Sequence, residues 1–375
     1  MEFAKSDIQQ MLLDSAERFL AEHAGVEYWR AQRSTADGFD ASRWSSFADL
    51  GWLALPIPEA SGGLGGSLED VALLNIALGR SLATEPYVST AVLCAHVLAA
   101  AETEQSAVLL GSVAEGGLLL ALAHAEPGRD PLAPDAAETV AIRTGSGFLL
   151  NGRKIIAVDA PSADKLIVSA ELEGDEGVAL FLVDRHAEGV LLDAYPLIDG
   201  GRAADVVLRD VAVTRDALLV GANAGPAVLE SAIDRACVAL LAQAVGSMEA
   251  CLQICGDYVK ERKQFGVSIG SFQAVQHLLS DMFVAAYQAR SMLYQAIAGC
   301  HQDGQARGAA VSAAKIVIAE SGQIVSRNGI QVHGGYGITD EYPISHHFRR
   351  LLTIEKLYGD IDWHTRRLAE ASFVS

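Results

Sequence analysis

The chain changes its apolar period twice, and no other feature narrows its fold as much. Up to about Leu118, apolar residues recur every three or four positions, as in Ile8, Met11, Leu12 and Ala16 behind a Ser6-Asp7 helix start. From there to about residue 215 the runs are short and β-rich, as in 138–142 (ETVAI) and 178–183 (VALFLV), broken by Gly, Asp and Pro. After Gly221 the helical period returns and stays. Three blocks in this order predict an α+β chain, mostly α. They give an N-terminal helical domain over 1–118, a central antiparallel β-domain over 119–218 and a C-terminal four-helix bundle over 219–375. The order argues against an alternating doubly wound sheet, and neither a GxGxxG nor a GxxxxGK[ST] phosphate loop occurs.

Within the blocks, local signals place the elements. The run 61–67 (SGGLGGS) is a loop, because so many glycines cannot hold a helix. Leu150-Asn151-Gly152 predicts a hairpin turn. Residues 229–260, 272–301 and 309–329 read as long helices, whose packing angle in a bundle is about 20°.

Charge and composition exclude several classes. Formal charge is −19, which suits neither DNA nor RNA. No uninterrupted apolar run suggests a membrane span, and Met1 to Lys5 lacks the basic head and apolar run of a signal peptide. Five cysteines form no disulfide framework, and Cys251 and Cys255, one helical turn apart, read as buried core thiols. No Cys or His pairs at ligand spacing predict a metal site. A cytoplasmic chain is expected.

Motifs then accumulate in a definite order. They are Gly51 to Glu59 (GWLALPIPE) with 62–65 (GGLG), Ala125-Glu126-Pro127-Gly128, Asn151 to Lys154 (NGRK), Ala163-Asp164 and Asp210 to Val213. The most specific are Arg262 to Gly266 (RKQFG) with Phe272-Gln273, and Gln331 to Gly337 (QVHGGYG) with 341–343 (EYP). In this order and spacing the chain resembles the acyl-CoA dehydrogenase family over nearly its whole length. The resemblance implies FAD as cofactor, an acyl-CoA thioester as substrate and electron-transferring flavoprotein as acceptor. It also implies a homo- or hetero-oligomer, dimer or tetramer, assembled through the last domain. Arg262 would then pair with the FAD pyrophosphate, Phe265 and Gln273 would flank the adenosine half, Gln264 would join the cofactor-binding set, and Gln331, Gly334 and Gly335 would let backbone approach the cofactor. Read without the family, Arg262 is a solvated helix-end cation, His333 a packing residue, and His346 and His347 surface or interface residues.

The sequence departs from the family pattern at the chemistry. One usual Glu base lies ten residues before a Gly; here that Gly is Gly246 and the position is Ala236. The other lies in a C-terminal loop, where matching the glycines gives Tyr358 and matching the following Arg-Leu gives Asp360. Asp360 is the nominated base, with a pKa raised by desolvation; the competing reading makes it the N-cap of a helix over 361–368. The Trp-Ile-Thr or Trp-Ile-Ser that usually follows the Lys matching Lys154 is Ile155-Ile156-Ala157, and Thr-Glu-Pro is Ala125-Glu126-Pro127. The elements given to a neighbouring subunit are kept and several that serve the chain's own flavin ring are lost. Three functions follow: an FAD-dependent acyl-CoA dehydrogenase or a subunit of one, a silent partner subunit completing a homologous chain's site, or another flavin reaction such as nitroalkane oxidation.

Overall fold

The computed structural model describes residues 5–23, 25–135 and 137–373. Met1 to Ala4, part of the segment expected to lack a leader, lie outside the described residues. Among the described residues the α-helices α1 (Asp7–His23), α2 (Val26–Arg33), α3 (Ala41–Asp49), α4 (Leu68–Arg80), α5 (Ala95–Ala101) and α6 (Glu104–Ala114) come first, with a π-helical stretch Val88–Cys94 leading into α5. Eight strands follow: β1 (Leu120–Ala123), β2 (Val140–Arg143), β3 (Gly147–Val158), β4 (Lys165–Leu172), β5 (Val178–Asp184), β6 (Val190–Pro196), β7 (Arg202–Thr214) and β8 (Leu218–Val220). The last block holds α7 (Gly225–Glu261), a small hairpin of β9 (Lys263–Gln264) and β10 (Val267–Ser268), then α8 (Gln273–Gly299), α9 (Gly304–His333), α10 (Pro343–Lys356) and α11 (Ile361–Phe373). The helical and β-rich blocks thus follow the period of the sequence. Ser6 caps α1 reciprocally with Gln9: Gln9 N donates to Ser6 Oγ at 3.2 Å and Ser6 N to Gln9 Oε1 at 3.0 Å.

Compactness divides the chain differently from sequence texture. One unit takes residues up to Ala31, Glu69–Ala83 and Cys237 onward; the other takes Gln32–Leu68 and Thr84–Ala236. In the first, α8, α10 and α11 all pack on α9. There α4 and α7 approach backbone to backbone: a Cβ on Gly246 would lie 2.8 Å from the Ile76 carbonyl carbon, and one on Gly79 would lie 2.5 Å from Gln243 Cα. Only glycine permits that spacing. Gln243 Nε2 closes the seam by donating a buried hydrogen bond to Asn75 Oδ1 at 2.9 Å. By length and composition α7 and the run from Gly304 to Ile338 could each cross a membrane, and 78% and 56% of their apolar windows are buried within the protein.

The second unit is built on one sheet in the order β6-β7-β3-β2-β4-β5-β8, with β1 beside β4. The sheet is mixed, not purely antiparallel: β1 and β2 each run parallel to β4. The cause is the β3–β4 connection, which steps over β2 and sets β4 down on its far side in β2's direction. Asn151-Gly152 is no hairpin turn. It lies inside β3 at a register shift opposite β7. Asn151 Nδ2 donates to Asp210 Oδ1 at 2.9 Å and Asp210 N to Asn151 Oδ1 at 2.8 Å, with Asp210 at φ 49°. A Cβ at position 152 would sit 2.7 Å from Thr139 Cα. The glycine serves a bulge and a close strand contact, which a turn propensity cannot distinguish from a hairpin.

Candidate cofactor and active site

The Arg262–Gly266 motif forms the hairpin that leaves α7. Arg262 N donates to Tyr258 O at 2.9 Å and Ile269 N to Arg262 O at 2.9 Å, closing the ladder of β9 and β10. Phe265 and Gly266 form the turn with φ of 52° and 83°, the pair of positive values a two-residue hairpin turn requires. An aromatic residue there is strained, and its ring is 93% exposed. Arg262, Gln264 and Gln273 are exposed too; among the described residues the Arg262 side chain has no ion pair or hydrogen bond. Gln264 Nε2 turns back to the Lys263 carbonyl at 3.0 Å.

At the far end of α9, Gln331 is exposed and Gly334 adopts φ 61°, ψ −140°, a conformation closed to L side chains. A Cβ on Gly334 or Gly335 would meet nothing within 4 Å, so both face open space. A permanently charged fork, an outward aromatic and an open glycine turn fit the diphosphate and adenine of FAD. They point out of this chain.

The other unit carries the segments that would face a flavin ring. Lys154 is fully buried and uses all three donors: Glu126 Oε1 at 2.7 Å, Ser169 Oγ at 3.0 Å and the His124 carbonyl at 3.2 Å. Glu126 Oε1 also accepts from Thr139 N at 2.9 Å and Thr139 Oγ1 at 2.6 Å, and Oε2 accepts from Glu138 N. Burial opposes its charge, yet these donors hold it at about 2. His124 Nδ1 lies 2.8 Å from Ser169 Oγ. Burial pushes that imidazole down to about 4. Above this core, Ile155 N donates to the Ala125 carbonyl at 2.8 Å, and β3 bulges between Lys154 and Ala157 with Ile156 at φ 52°. The bulge therefore offers an aliphatic side chain, 49% exposed, and neither hydroxyl nor aromatic ring. The sequence hides a signal for this network: residues 148, 150 and 154 share inward parity in β3, and a lysine there demands a buried partner.

Asp360 sits at the N-cap of α11, its Oδ1 accepting from Trp363 N at 2.9 Å, with Lys356 Nζ 3.6 Å from Oδ2. That amide bond holds the carboxyl below the usual carboxylate range; the expected rise is overturned, because Asp360 is exposed to an amide and a cation rather than sealed in apolar surroundings. The loop around it is fixed from α9. Lys315, fully buried, donates to the Ile354 and Leu357 carbonyls at 2.6 and 2.7 Å, and burial lowers its pKa. His364 bridges Ser312 Oγ at 3.0 Å and the Tyr358 carbonyl at 2.9 Å. Ala236 is fully buried on α7 and brings no carboxylate.

The adjacent His346 and His347 are both buried, not at the surface. His346 packs on Trp29 at 4.0 Å while His347 Nδ1 lies 2.8 Å from Ser247 Oγ. α10 is covered on two sides, so residues about 100° apart both find cover. Among the described residues no three His, Cys, Asp or Glu side chains gather as metal ligands.

Helical bundle, mixed sheet and outward Arg–Phe hairpin together define a flavoprotein-type oxidoreductase architecture. Comparison with known proteins makes this specific. Residues 6–117 match the profile of the acyl-CoA dehydrogenase N-terminal domain and 223–373 that of the acyl-CoA dehydrogenase C-terminal domain. The acyl-CoA dehydrogenase IpdE2 of Mycobacterium tuberculosis is 30% identical over 346 residues, covering 91% of this chain and 90% of its own. A chain of the ChsE4-ChsE5 complex from the same organism superposes with a TM-score of 0.90 at 27% identity, each chain covered fully. The structure of PigA with FAD and proline superposes at 0.89 with 25% identity, again over 100% of both chains. The chain belongs to the acyl-CoA dehydrogenase family, whose members are FAD-dependent oxidoreductases.

Proposed function

We propose that this chain is a subunit of an FAD-dependent acyl-CoA dehydrogenase, and that its main part is to complete the flavin site of a homologous chain. The carrying observation is the hairpin at Arg262–Gly266: among the described residues the Arg262 side chain has no partner, and Phe265, strained and 93% exposed, meets its own chain only edge-on at Phe272, with ring centroids 6.2 Å apart. The groups missing around the chain's own ring-facing edge, at Ala125, Ile155 and Ala157, support the same assignment. When bound, FAD supplies the acceptor for the hydride leaving the acyl β carbon. The partner chain would supply the carboxylate that takes the α proton, because Asp360 is engaged as a helix cap.

Assembly is proposed through the C-terminal helices, where Phe283, Val284 and Tyr287 of α8 are 61–69% exposed. That a solved relative is a complex of two named chains is in keeping with a heteromer. Electron-transferring flavoprotein is the proposed acceptor, and nitroalkane oxidation, which would need Asp360 as base, is disfavoured by its cap. The test is purification of the chain alone and with co-expressed Glu-containing homologues. Flavin absorbance and acyl-CoA-dependent bleaching only in the co-expressed sample support the proposal. A yellow homomer that bleaches alone overturns the partner role.

A further inference from the structure

Resting on the reading that residues 262–273 and 331–335 meet a flavin outside their own chain, we propose that His333 is a positioning residue that keys these two segments to each other. Its ring centroid lies 4.2 Å from that of Tyr258, tilted by 33°, and 4.8 Å from that of Tyr342. Tyr258 is the residue whose carbonyl receives the Arg262 amide, and Arg262 in turn receives the Ile269 amide. The residue that carries the ring against His333 is thus the one whose backbone anchors the hairpin root. On its other side His333 is the last residue of α9 and leads directly into Gly334. The turn folds back on it, for a Cβ at Gly337 would stand 2.9 Å from His333 Cβ.

The imidazole cannot pivot freely. Nδ1 donates to the Gly329 carbonyl at 2.8 Å, one turn back along α9, which assigns the proton to Nδ1. Nε2 is buried with no partner, and Cys255 Sγ closes the Nδ1 side at 4.0 Å. A buried ring nitrogen left bare is costly, so a leucine or phenylalanine would fill the space without that cost. What the histidine adds is a ring held by its own helix in one orientation against two tyrosines.

The test uses the full-length protein as purified. His333→Leu should speed hydrogen exchange of the Arg262 and Ile269 amides about tenfold, the scale of one lost aromatic contact. His333→Phe, which keeps a ring and loses the Nδ1 bond, should fall between the two. FAD dissociation from the assembly co-expressed with the homologous chain, followed by flavin fluorescence, should be about tenfold easier in His333→Leu. Unchanged exchange at Arg262 and Ile269 overturns the proposal whatever FAD does. An equal acceleration over all of α7 to α11 also overturns it, since that is a general loss of packing. Faster local exchange, with FAD affinity unmoved both here and in Arg262→Ala, leaves the keying intact and removes the flavin reading instead.

Discussion

Lys154 Nζ and Glu126 Oε1 lie 2.7 Å apart with their side chains 0% and 4% exposed, at the meeting point of β1, β2, β3 and β4. Every donor of the lysine and both oxygens of the carboxylate are satisfied, which is the condition under which a buried pair is tolerated. Removing one partner strands the other. Lys154→Met or Glu126→Gln should each cost about 3–5 kcal/mol in urea unfolding. The double variant should cost clearly less than the sum, because no uncompensated charge remains. Additive losses would show that the two groups do not act as a pair.

Acid should destabilise the protein in two stages. The imidazoles of His124 and His347, pushed down by burial to about 4 and about 3 from an ordinary 6.5, stay neutral when folded and protonate when unfolded. Folded-state pKa values below the unfolded one give stability that is complete above pH 6.5 and is lost as pH falls towards 4 and then 3. For His124 the linkage amounts to about 3 kcal/mol. Glu126, held at about 2 against an ordinary 4.5, adds a second loss below pH 4.5. Urea midpoints between pH 7 and 4 should fall steadily, and His347→Gln should flatten the slope. A flat profile down to pH 4 contradicts the neutral buried imidazoles.

Arg262→Ala should leave folding unchanged within about 0.5 kcal/mol, because the side chain is exposed and has no partner among the described residues. Flavin content of the assembled protein after dialysis should drop sharply, since a charge-assisted bond to phosphate is worth about 1.5–3 kcal/mol. Full flavin retention in the variant rules out the phosphate assignment.

Asp360→Ala should cost about 1 kcal/mol through loss of the N-cap of α11, and Asp360→Asn much less, because the amide oxygen still accepts from Trp363 N. Flavin reduction by acyl-CoA in the co-expressed assembly should be within a factor of a few of the parent for Asp360→Asn. A large drop in that rate at unchanged stability would restore Asp360 as a base.

Phe283 and Tyr287 stack one turn apart on α8 with ring centroids 6.3 Å apart and both rings exposed. Replacing both with Ser should shift the oligomer towards monomer in light scattering at micromolar protein, without lowering secondary structure content. An unchanged mass places the interface elsewhere.

Period determined what the sequence alone could determine. Helical spacing and β-rich runs mark the blocks because both are local properties of the chain, and the Ser6 helix start is local as well. The order of the family motifs was legible for the same reason: Arg262 to Gly266 and Gln331 to Gly337 are contiguous. What tertiary structure decided depends on partners far apart in sequence. Asn151-Gly152 became a bulge because Asp210 and Thr139 occupy the space around it. His346 and His347 were buried by cover from Trp29 and Ser247. Lys154 found Glu126 across 28 residues, and neither position announces the other in the sequence. Asp360 could be read either way from composition; the geometry of the Trp363 amide made it a cap and lowered its pKa, because a carboxylate's basicity is set by the donors around it and not by its place in a motif.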